Sequence, residues 1–384
     1  MAGRQLRIGI VAGEASGDYL GASLLKALRE AEPQLQAEGI GGPQLREAGC
    51  RILYPMEVLS VMGLVEVLGS YRKITAVRRA LLRHFARTPP DVFIGVDAPD
   101  FNLDLELRLH AAGVKIVHYV SPQVWAWREY RLRKIARAVD LMLTLFPFEE
   151  AYYHERGMPA VCVGHPLAGQ IPMQPDPAAA RSRLGLPADQ TIVALMPGSR
   201  GMEIQRLARP FLLAARECLS QRQDICYVSN LLDAEAVAAV RTIMHESGLM
   251  DLPVSFYTGR AHDVLEAADV VLLASGTVAL EAMLYKKPMV VAYKVNWLTY
   301  RLLKTLIKVP YVALPNLLAR EQLVPECLQG DCTPARLAKE VLRWLEDGQA
   351  VAALEQKFTA LHRSLQLDAT AMASRQILNL VQAV

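Results

Sequence analysis

The chain lacks the features that define several large classes of protein. It has six cysteines in 384 residues and no C-x-x-C pair, which argues against a disulfide framework and a zinc site. No apolar run approaches the roughly 20 residues that span a bilayer, and the apolar stretch before Glu14 is too short for a signal peptide. Lys and Arg number 42 against 39 Asp and Glu, so net charge gives no reason to expect nucleic acid. We expect a cytoplasmic protein that is soluble or peripheral on a membrane.

Several ligand-binding motifs are also absent. The glycines near the N-terminus do not form G-x-G-x-x-G, and the chain has neither a Walker loop nor G-x-S-x-G. These absences argue against dinucleotide enzymes, P-loop ATPases and α/β-hydrolases. There is no D-x-D that would hold a diphosphate through a metal ion. We therefore expect no metal and no cofactor, so that cations and helix termini would have to stabilise any leaving diphosphate.

What the chain does contain is a repeated alternation of strand and helix patterns. Its length suggests two domains, or three, and 52% hydrophobic residues can fill their cores. Residues 163–177 hold four prolines and two glycines without any period, so we interpret them as a hinge, with His165 in a hinge hydrogen bond rather than in catalysis. Each half alternates β and α, which predicts an α/β protein of two doubly wound domains facing a cleft.

One stretch, DVFIGVDAPDFN at residues 91–102, has the pattern of a buried strand that ends in an acid. Val92 to Val96 lead into Asp97, Pro99 stops the strand, and Asp100 stands where a helix N-cap would stand. Ligands of open α/β sheets bind at the carboxyl ends of the strands, so Asp97 is a candidate for chemistry. The alternative is that both acids are turn residues. The next residues alternate like a strand, but a parallel sheet needs a crossover, so we predict a helix there.

A turn in the second half, MPGSRGME at residues 196–203, has the composition of an anion site. Gly198 permits a tight turn, while Ser199 and Arg200 offer a hydroxyl, N–H groups and a cation at a helix start. Strand-to-helix turns use such residues for backbone reasons alone, so this turn by itself is weak evidence.

A second turn of the same kind follows in ASGTVALE, residues 274–281. Gly276 and Thr277 stand where a helix start would face a phosphate, and Glu281 is placed to accept hydrogen bonds from ribose hydroxyls. Two such turns in one domain, each after a strand, indicate a nucleotide site.

Residues 56–87 combine an apolar segment with a basic one. Residues 56–71 are apolar without a clear period, and residues 72–87 carry six Lys or Arg and no acid. This combination is typical of a peripheral membrane surface, although a buried helix followed by a solvated one would give the same pattern. The candidate membrane residues are Val58, Leu59, Val61, Met62, Leu64, Val65, Val67, Leu68, Arg72, Lys73, Arg78, Arg79 and Arg83.

Seven motifs, in order along nearly the whole chain, resemble those of the lipid-A-disaccharide synthase family. They are GEASGD at 13–18, GVDAPDFN at 95–102, SPQVWAWR at 121–128, VGHPL at 163–167, PGSR at 197–200, SGTVALE at 275–281 and LPNLLARE with VPECLQ at 314–329. The resemblance implies a GT-B fold and an inverting glycosyltransferase. Such an enzyme would join UDP-2,3-diacylglucosamine to 2,3-diacylglucosamine 1-phosphate, releasing UDP, on the cytoplasmic face of the inner membrane of a Gram-negative bacterium.

The resemblance also implies roles for residues. Asp97 would be the base that takes the proton from the acceptor's 6-hydroxyl, and Ser16 and Gly17 would meet the sugar or a phosphate. The donor would be bound by Ser199, Arg200, Gly276, Thr277 and Glu281, with Asn316, Glu326 and Gln329 as weaker candidates. Residues 1–165 would form the acceptor and membrane domain, joined by a C-terminal helix at about 358–384, and residues 166–357 the donor domain.

Two other readings and one question stay open from the sequence. A UDP-sugar 2-epimerase could share the fold, but it would have no use for an exposed apolar segment. A protein that only binds nucleotide and membrane would leave Asp97 as a turn residue. The oligomeric state is likewise left open.

Overall fold

The computed structural model describes residues 5–59, 67–127, 129–297, 300–301 and 309–382, with the backbone alone for residues 67–71. The chain forms two compact units. The first unit consists of Met1–His165 together with Leu365–Val384, and the second of Pro166–Ser364. The chain thus leaves the first unit within the predicted hinge and returns to it near the C-terminus.

A parallel sheet forms the centre of the first unit. Its order is β3-β2-β1-β4-β5-β6-β7 among the residues that the structure describes. The strands are β1 Arg7–Ala12, β2 Gln36–Gly41, β3 Arg51–Pro55, β4 Val92–Val96, β5 Lys115–Tyr119, β6 Leu141–Thr144 and β7 Ala160–Cys162. All five residues of β4 are buried, as a strand covered on both faces requires.

Helices cover this first sheet. They are α1 Ala15–Ala31, α2 Pro43–Glu47, α3 Val67–Arg87, α4 Pro99–Ala111, α5 Leu132–Ala138 and α6 Pro147–His154. Helix α4 is the crossover between β4 and β5, so the predicted helix after Asp97 is confirmed. The last helix of the chain, α16 (Ala369–Gln382), packs against α1.

The second unit repeats this architecture. Its parallel sheet has the order β10-β9-β8-β11-β12-β13. The strands are β8 Thr191–Met196, β9 Ile225–Leu231, β10 Val254–Thr258, β11 Val270–Ala274, β12 Met289–Tyr293 and β13 Glu326–Leu328. The helices are α7 Pro166–Gln170, α8 Pro177–Leu184, α9 Gly201–Gln221, α10 Ala234–Glu246, α11 Ala261–Ala267, α12 Thr277–Leu284, α13 Leu314–Ala319, α14 Pro334–Glu346 and α15 Gly348–Leu365.

Both sheets reverse their strand order at one place, and this positions the candidate sites. The reversal lies between β1 and β4 in the first unit and between β8 and β11 in the second. Ligands of such sheets bind at the carboxyl ends of the strands beside the reversal. The predicted α/β fold with two doubly wound sheets is therefore confirmed. No helix in the described ranges is long and apolar enough to cross a membrane.

One helix start differs from the sequence prediction. Helix α4 begins at Pro99, so its N-cap is Ala98 and Asp100 lies in its first turn, where it pairs with Arg131. The prediction of Asp100 as the cap was wrong because proline can itself open the helix at its first position. Helix α1 begins at Ala15 with Glu14 as its N-cap, so Ser16 lies in its first turn.

Candidate functional site

Asp97 is the first residue after β4, at the strand-order reversal of the first sheet. It and Ala98 both have left-handed backbone conformations, with φ of 49° and 44°. Such a turn is strained for residues other than glycine and needs outside support. The Asp97 N–H donates to the Tyr119 carbonyl at 2.8 Å, and the Asn102 side chain donates to the Asp97 carbonyl at 2.7 Å. The backbone that carries this carboxyl is therefore held from both sides.

The neighbouring strand end brings a second carboxyl to Asp97. Gly13 and Glu14 follow β1, and a Cβ on Gly13 would lie 2.9 Å from the Cβ of Ala98, so the two turns touch. Burial raises the pKa of Asp97, the Glu14 carboxyl raises it further, and His118 acts in the opposite direction. A carboxylate whose pKa is raised toward the working pH is a better general base than an ordinary one.

The rest of GEASGD divides into exposed and structural positions. Ser16 is exposed, whereas Gly17 is buried and faces the Val96 side chain and carbonyl. Asp18 is buried and accepts hydrogen bonds from the N–H groups of Gly42, Gln44 and Leu45, so it caps α2. Asp18 therefore has a structural role, because its carboxylate already accepts hydrogen bonds from three backbone N–H groups.

The PGSR turn in the second unit opens α9 after β8. Gly198 has a φ of 123°, and a Cβ there would lie 2.6 Å from the Glu203 side chain. The Glu203 carboxylate accepts long hydrogen bonds from the N–H groups of Ser199, at 3.2 Å, and Arg200, at 3.4 Å. The Arg200 side chain is 85% exposed. The N–H groups predicted to bind an anion thus already face one, which belongs to the protein itself.

The SGT turn opens α12 after β11 and is more open. No atom lies within 4 Å of a Cβ built on Gly276, and Gly276 and Thr277 are both exposed. Glu281 is mostly buried, and burial raises its pKa, while His262 acts in the opposite direction at 3.6 Å from its carboxylate. His262 was not predicted, because α11 contributes it from a separate segment of the sequence.

The three weaker donor candidates make hydrogen bonds within the protein. Asn316 is fully buried, and its side chain bonds the backbone of Leu323 and Val324 as well as Glu326. Glu326 in turn accepts from the N–H groups of Val312 and Ala313. These two side chains hold the loops that flank α13.

Gln329, the third of these candidates, pairs with the backbone of Val295. With its amide oriented to satisfy both partners, it donates at 3.0 Å and accepts at 3.1 Å. The side chains of Asn316, Glu326 and Gln329 thus shape the second unit's loops, and their contacts explain their positions without a ligand.

Helix α3 presents most of the predicted basic residues to the surface. Arg72, Lys73, Arg79 and Arg83 are exposed. Arg78 differs, because it pairs with Asp104, lies 5.6 Å over the Phe101 ring and is only 11% exposed, so it does not belong to this basic surface. Val58 and Leu59 are half-buried, and Leu59 packs against the core. Several of the predicted membrane residues lie outside the part of the chain that the structure describes: Val61, Met62, Leu64 and Val65 entirely, and Val67 and Leu68 in their side chains.

Sequence reasoning missed a buried acid and base beneath Asp97. His118 in β5 and Glu106 in α4 are both fully buried, and His118 Nδ1 lies 2.7 Å from Glu106 Oε1. Twelve positions separate them, so no local motif connects them. The available signal was a histidine among the apolar residues Ile116–Tyr119 of a central strand, since a buried histidine needs a hydrogen-bond partner.

Two further predictions concern the hinge and metal ions. The His165 N–H donates to the Leu365 carbonyl at 3.1 Å, and its ring stacks on Phe146. Burial lowers the pKa of His165 to about 4. This agrees with a structural role at the place where the chain changes unit. Within the described residues, no group of three or more His, Cys, Asp or Glu side chains could hold a metal ion.

Comparisons with known proteins cover almost the entire chain. A family model described as lipid-A-disaccharide synthetase matches residues 8–377. Lipid-A-disaccharide synthase of Pseudomonas paraeruginosa is 50% identical over 382 residues, covering 100% of both chains. The protein of that name from Pseudomonas syringae pv. tomato is 50% identical over 376 residues, covering 98% of this chain and 97% of the other.

Solved structures of low sequence identity share the fold. A putative UDP-N-acetylglucosamine 2-epimerase from Listeria monocytogenes aligns with a TM-score of 0.66 at 13% identity, covering 99% of this chain and 96% of the other. The calicheamicin glycosyltransferase CalG4 aligns with a TM-score of 0.62 at 14% identity, covering 99% of both chains. At such identities the similarity establishes the architecture alone.

Proposed function

We propose a specific reaction for this chain, which belongs to the lipid-A-disaccharide synthase family and is a UDP-dependent glycosyltransferase of lipid A synthesis with a GT-B fold. It joins UDP-2,3-diacylglucosamine to 2,3-diacylglucosamine 1-phosphate with inversion, giving the β-1,6-linked disaccharide 1-phosphate and UDP. The family membership confirms the resemblance drawn from the seven motifs. The substrates, the stereochemistry and the residue roles are our proposal.

Asp97 is the general base in this proposal. Its oxygen takes the proton of the acceptor's 6-hydroxyl while that hydroxyl oxygen bonds to the anomeric carbon, and the bond from that carbon to the UDP oxygen breaks. The supporting observation is the placement of a partly exposed carboxyl, whose pKa is raised, at the strand-order reversal of the first sheet. Ser16 and Gly17, in the first turn of α1, are proposed to contact the acceptor.

The second unit binds UDP in this proposal. The diphosphate displaces Glu203 from the N–H groups of Ser199 and Arg200, whose bonds to Glu203 are long. The exposed Arg200 side chain then neutralises the charge that develops on the leaving group. The open start of α12, at Gly276 and Thr277, contributes further N–H groups.

The remaining residues proposed for the UDP-sugar site have direct or indirect roles. Glu281 accepts hydrogen bonds from the ribose hydroxyls. Asn316, Glu326 and Gln329 act indirectly, by holding the loops around that site.

The acyl chains and the membrane meet the first unit in this proposal. Four acyl chains on two substrates need an apolar surface. The apolar composition of residues 58–68 supports placing them there, next in the sequence to the exposed Arg72, Lys73, Arg79 and Arg83. Basic residues near an anionic lipid surface contribute roughly 1 kcal/mol each. The enzyme would act as a peripheral protein on the cytoplasmic face of the inner membrane.

The decisive experiment compares two acids of one turn. Purified protein is incubated with UDP-diacylglucosamine and diacylglucosamine 1-phosphate, and the disaccharide and UDP are measured. We expect Asp97→Asn to reduce the rate by about 10² to 10⁴, the usual effect of removing a positioned general base. Asp100→Asn is the matched control, because that exposed acid lies only three residues away and should leave the rate unchanged.

Other outcomes identify the competing functions. Full activity of Asp97→Asn would remove Asp97 from the mechanism. Epimerisation of UDP-N-acetylglucosamine without any acceptor would support the 2-epimerase reading instead. Binding of UDP and vesicles without turnover would support a protein that has no catalytic function.

A further inference from the structure

The fully buried Glu106 and His118 lie on α4, the helix that follows the candidate base, and on β5, the strand that pairs with β4. A Cβ on Gly95 would lie 2.0 Å from Glu106 Oε1, so the glycine in β4 leaves the room that the Glu106 carboxylate occupies. His118 is the register partner of Gly95 on the neighbouring strand. The absence of a side chain at Gly95 therefore leaves space in β4 for the Glu106–His118 pair.

The backbone of Asp97 is tied to both elements that carry this pair. Its N–H donates to the carbonyl of Tyr119, the residue after His118 in β5. Its carbonyl accepts from Asn102, which lies one turn before Glu106 in α4. Any movement of the strand or the helix would therefore move the Asp97 carboxyl.

The electrostatics of the pair act on the same carboxyl. Burial lowers the pKa of His118, but Glu106 and Asp97 more than compensate, so the net shift is upward and favours the imidazolium. His118 faces two carboxyls, those of Glu106 and Asp97, while Asp97 faces Glu14 and His118. In the sheet, Gly95 and Met142 pair with His118, and α16, which contacts β5, has one charged residue, Arg375, which is exposed.

The pair also has unused hydrogen-bonding capacity. Among the described residues, His118 Nε2 and Glu106 Oε2 have no hydrogen-bond partner. A histidine and a glutamate buried only for stability would be an expensive choice, because well-packed apolar residues usually do as well in their place.

We propose that the Glu106–His118 pair is a positioning device for Asp97, which places a fixed positive charge behind the base and keeps it a carboxylate until the acceptor arrives. The inference rests on the proposed function, in which Asp97 is the base. His118 neither receives nor donates a proton during the transfer. Its cation opposes the effect of burial and Glu14 on Asp97, and it favours release of the captured proton after product has formed.

The test is the dependence of kcat/KM on pH for disaccharide formation. In His118→Asn the acidic limb should move up by about one pH unit, as expected when a nearby opposite charge is lost. The ratio of variant to wild-type kcat/KM should therefore fall about tenfold from the plateau above both acidic limbs to the pH range below both. In Glu14→Gln the limb should move down, because a like charge is lost. A merely structural role of His118 would lower kcat/KM by the same factor at every pH, and this result would overturn the inference.

A second measurement does not depend on activity. Among the eight histidines, the His118 signal in a ¹⁵N-histidine NMR spectrum is identified by its loss in His118→Asn, or by its response to Glu106→Gln if the former does not fold. Both ring nitrogens should be protonated at pH 7 in the wild type, and Glu106→Gln should make the ring neutral. A neutral His118 in the wild type would overturn the inference.

The two proposals fail separately. If Asp97→Asn keeps full activity, the proposed base is wrong whatever His118 does. If Asp97→Asn is inactive and the pH profile of His118→Asn runs parallel to that of the wild type, only the positioning role is wrong.

Discussion

The carboxyl edges of the two sheets are built on one plan and have opposite chemistry. In both units the reversal of strand order lies between a first strand followed by a glycine turn and a strand followed by a short turn into a helix. In the first unit these turns carry the acids Glu14 and Asp97. In the second unit they carry Arg200 and the open N–H groups at Gly276.

The difference continues into the strands beneath the turns. At the fourth position, β4 has Gly95 and β11 has Leu273. The space that a leucine fills in the second unit holds the Glu106 carboxylate in the first. On the proposed function, one doubly wound plan would support a proton-accepting edge when charge is buried below it, and an anion-binding edge when the strand beneath is apolar.

The largest effect should come from making the first edge resemble the second. Gly95→Ala places a Cβ 2.0 Å from Glu106 Oε1 in a packed core, so the carboxylate must move away from His118. We expect the free energy of unfolding to fall by about 3 kcal/mol, which is near the upper end of the effects of overpacking a core. This should appear in thermal unfolding as a fall in Tm of roughly 6 to 12 °C.

Gly276→Ala is the matched control at the second edge. Its φ of 168° is ordinary extended backbone, and no atom lies within 4 Å of the new Cβ, so its Tm should equal that of the wild type. If both alanine variants keep the wild-type Tm, the space at Gly95 does not fix the position of Glu106. The proposed difference between β4 and β11 would then be wrong.

The edges also differ in how far they could be predicted from sequence. Asp97 was placed correctly because a run of buried residues ending before Pro99 marks a strand end locally. Glu106 and His118 were missed because the sheet brings together positions on different elements, and nothing in the spacing encodes that contact. The resemblance makes Asn316 and Glu326 weaker candidates for donor binding, and the structure adds that their side chains form hydrogen bonds within the protein, which polar residue type alone does not reveal.

A smaller effect is expected at the cationic edge. Arg200→Ala removes an exposed guanidinium from the proposed diphosphate site, and UDP affinity measured by calorimetry should fall about thirtyfold, within the range for a hydrogen bond to a charged group. Arg209→Ala removes an exposed arginine two and a half turns along the same helix and should leave UDP affinity unchanged. An equal loss of UDP affinity in both variants would indicate general charge attraction. No loss in either variant would mean that the diphosphate binds at another site.

The smallest effect concerns two adjacent arginines of α3. Arg79 is exposed, whereas Arg78 is held by Asp104 and Phe101, so only Arg79 is free to meet anionic headgroups. Arg79→Gln should weaken binding to vesicles containing phosphatidylglycerol about fivefold, the equivalent of roughly 1 kcal/mol, and the loss should shrink as salt is added. Arg78→Gln should leave vesicle binding unchanged and lower Tm instead. Equal weakening of vesicle binding by both changes would mean that the Arg78–Asp104 pair opens at the lipid surface, and no weakening by either would place the membrane contact on another part of the first unit.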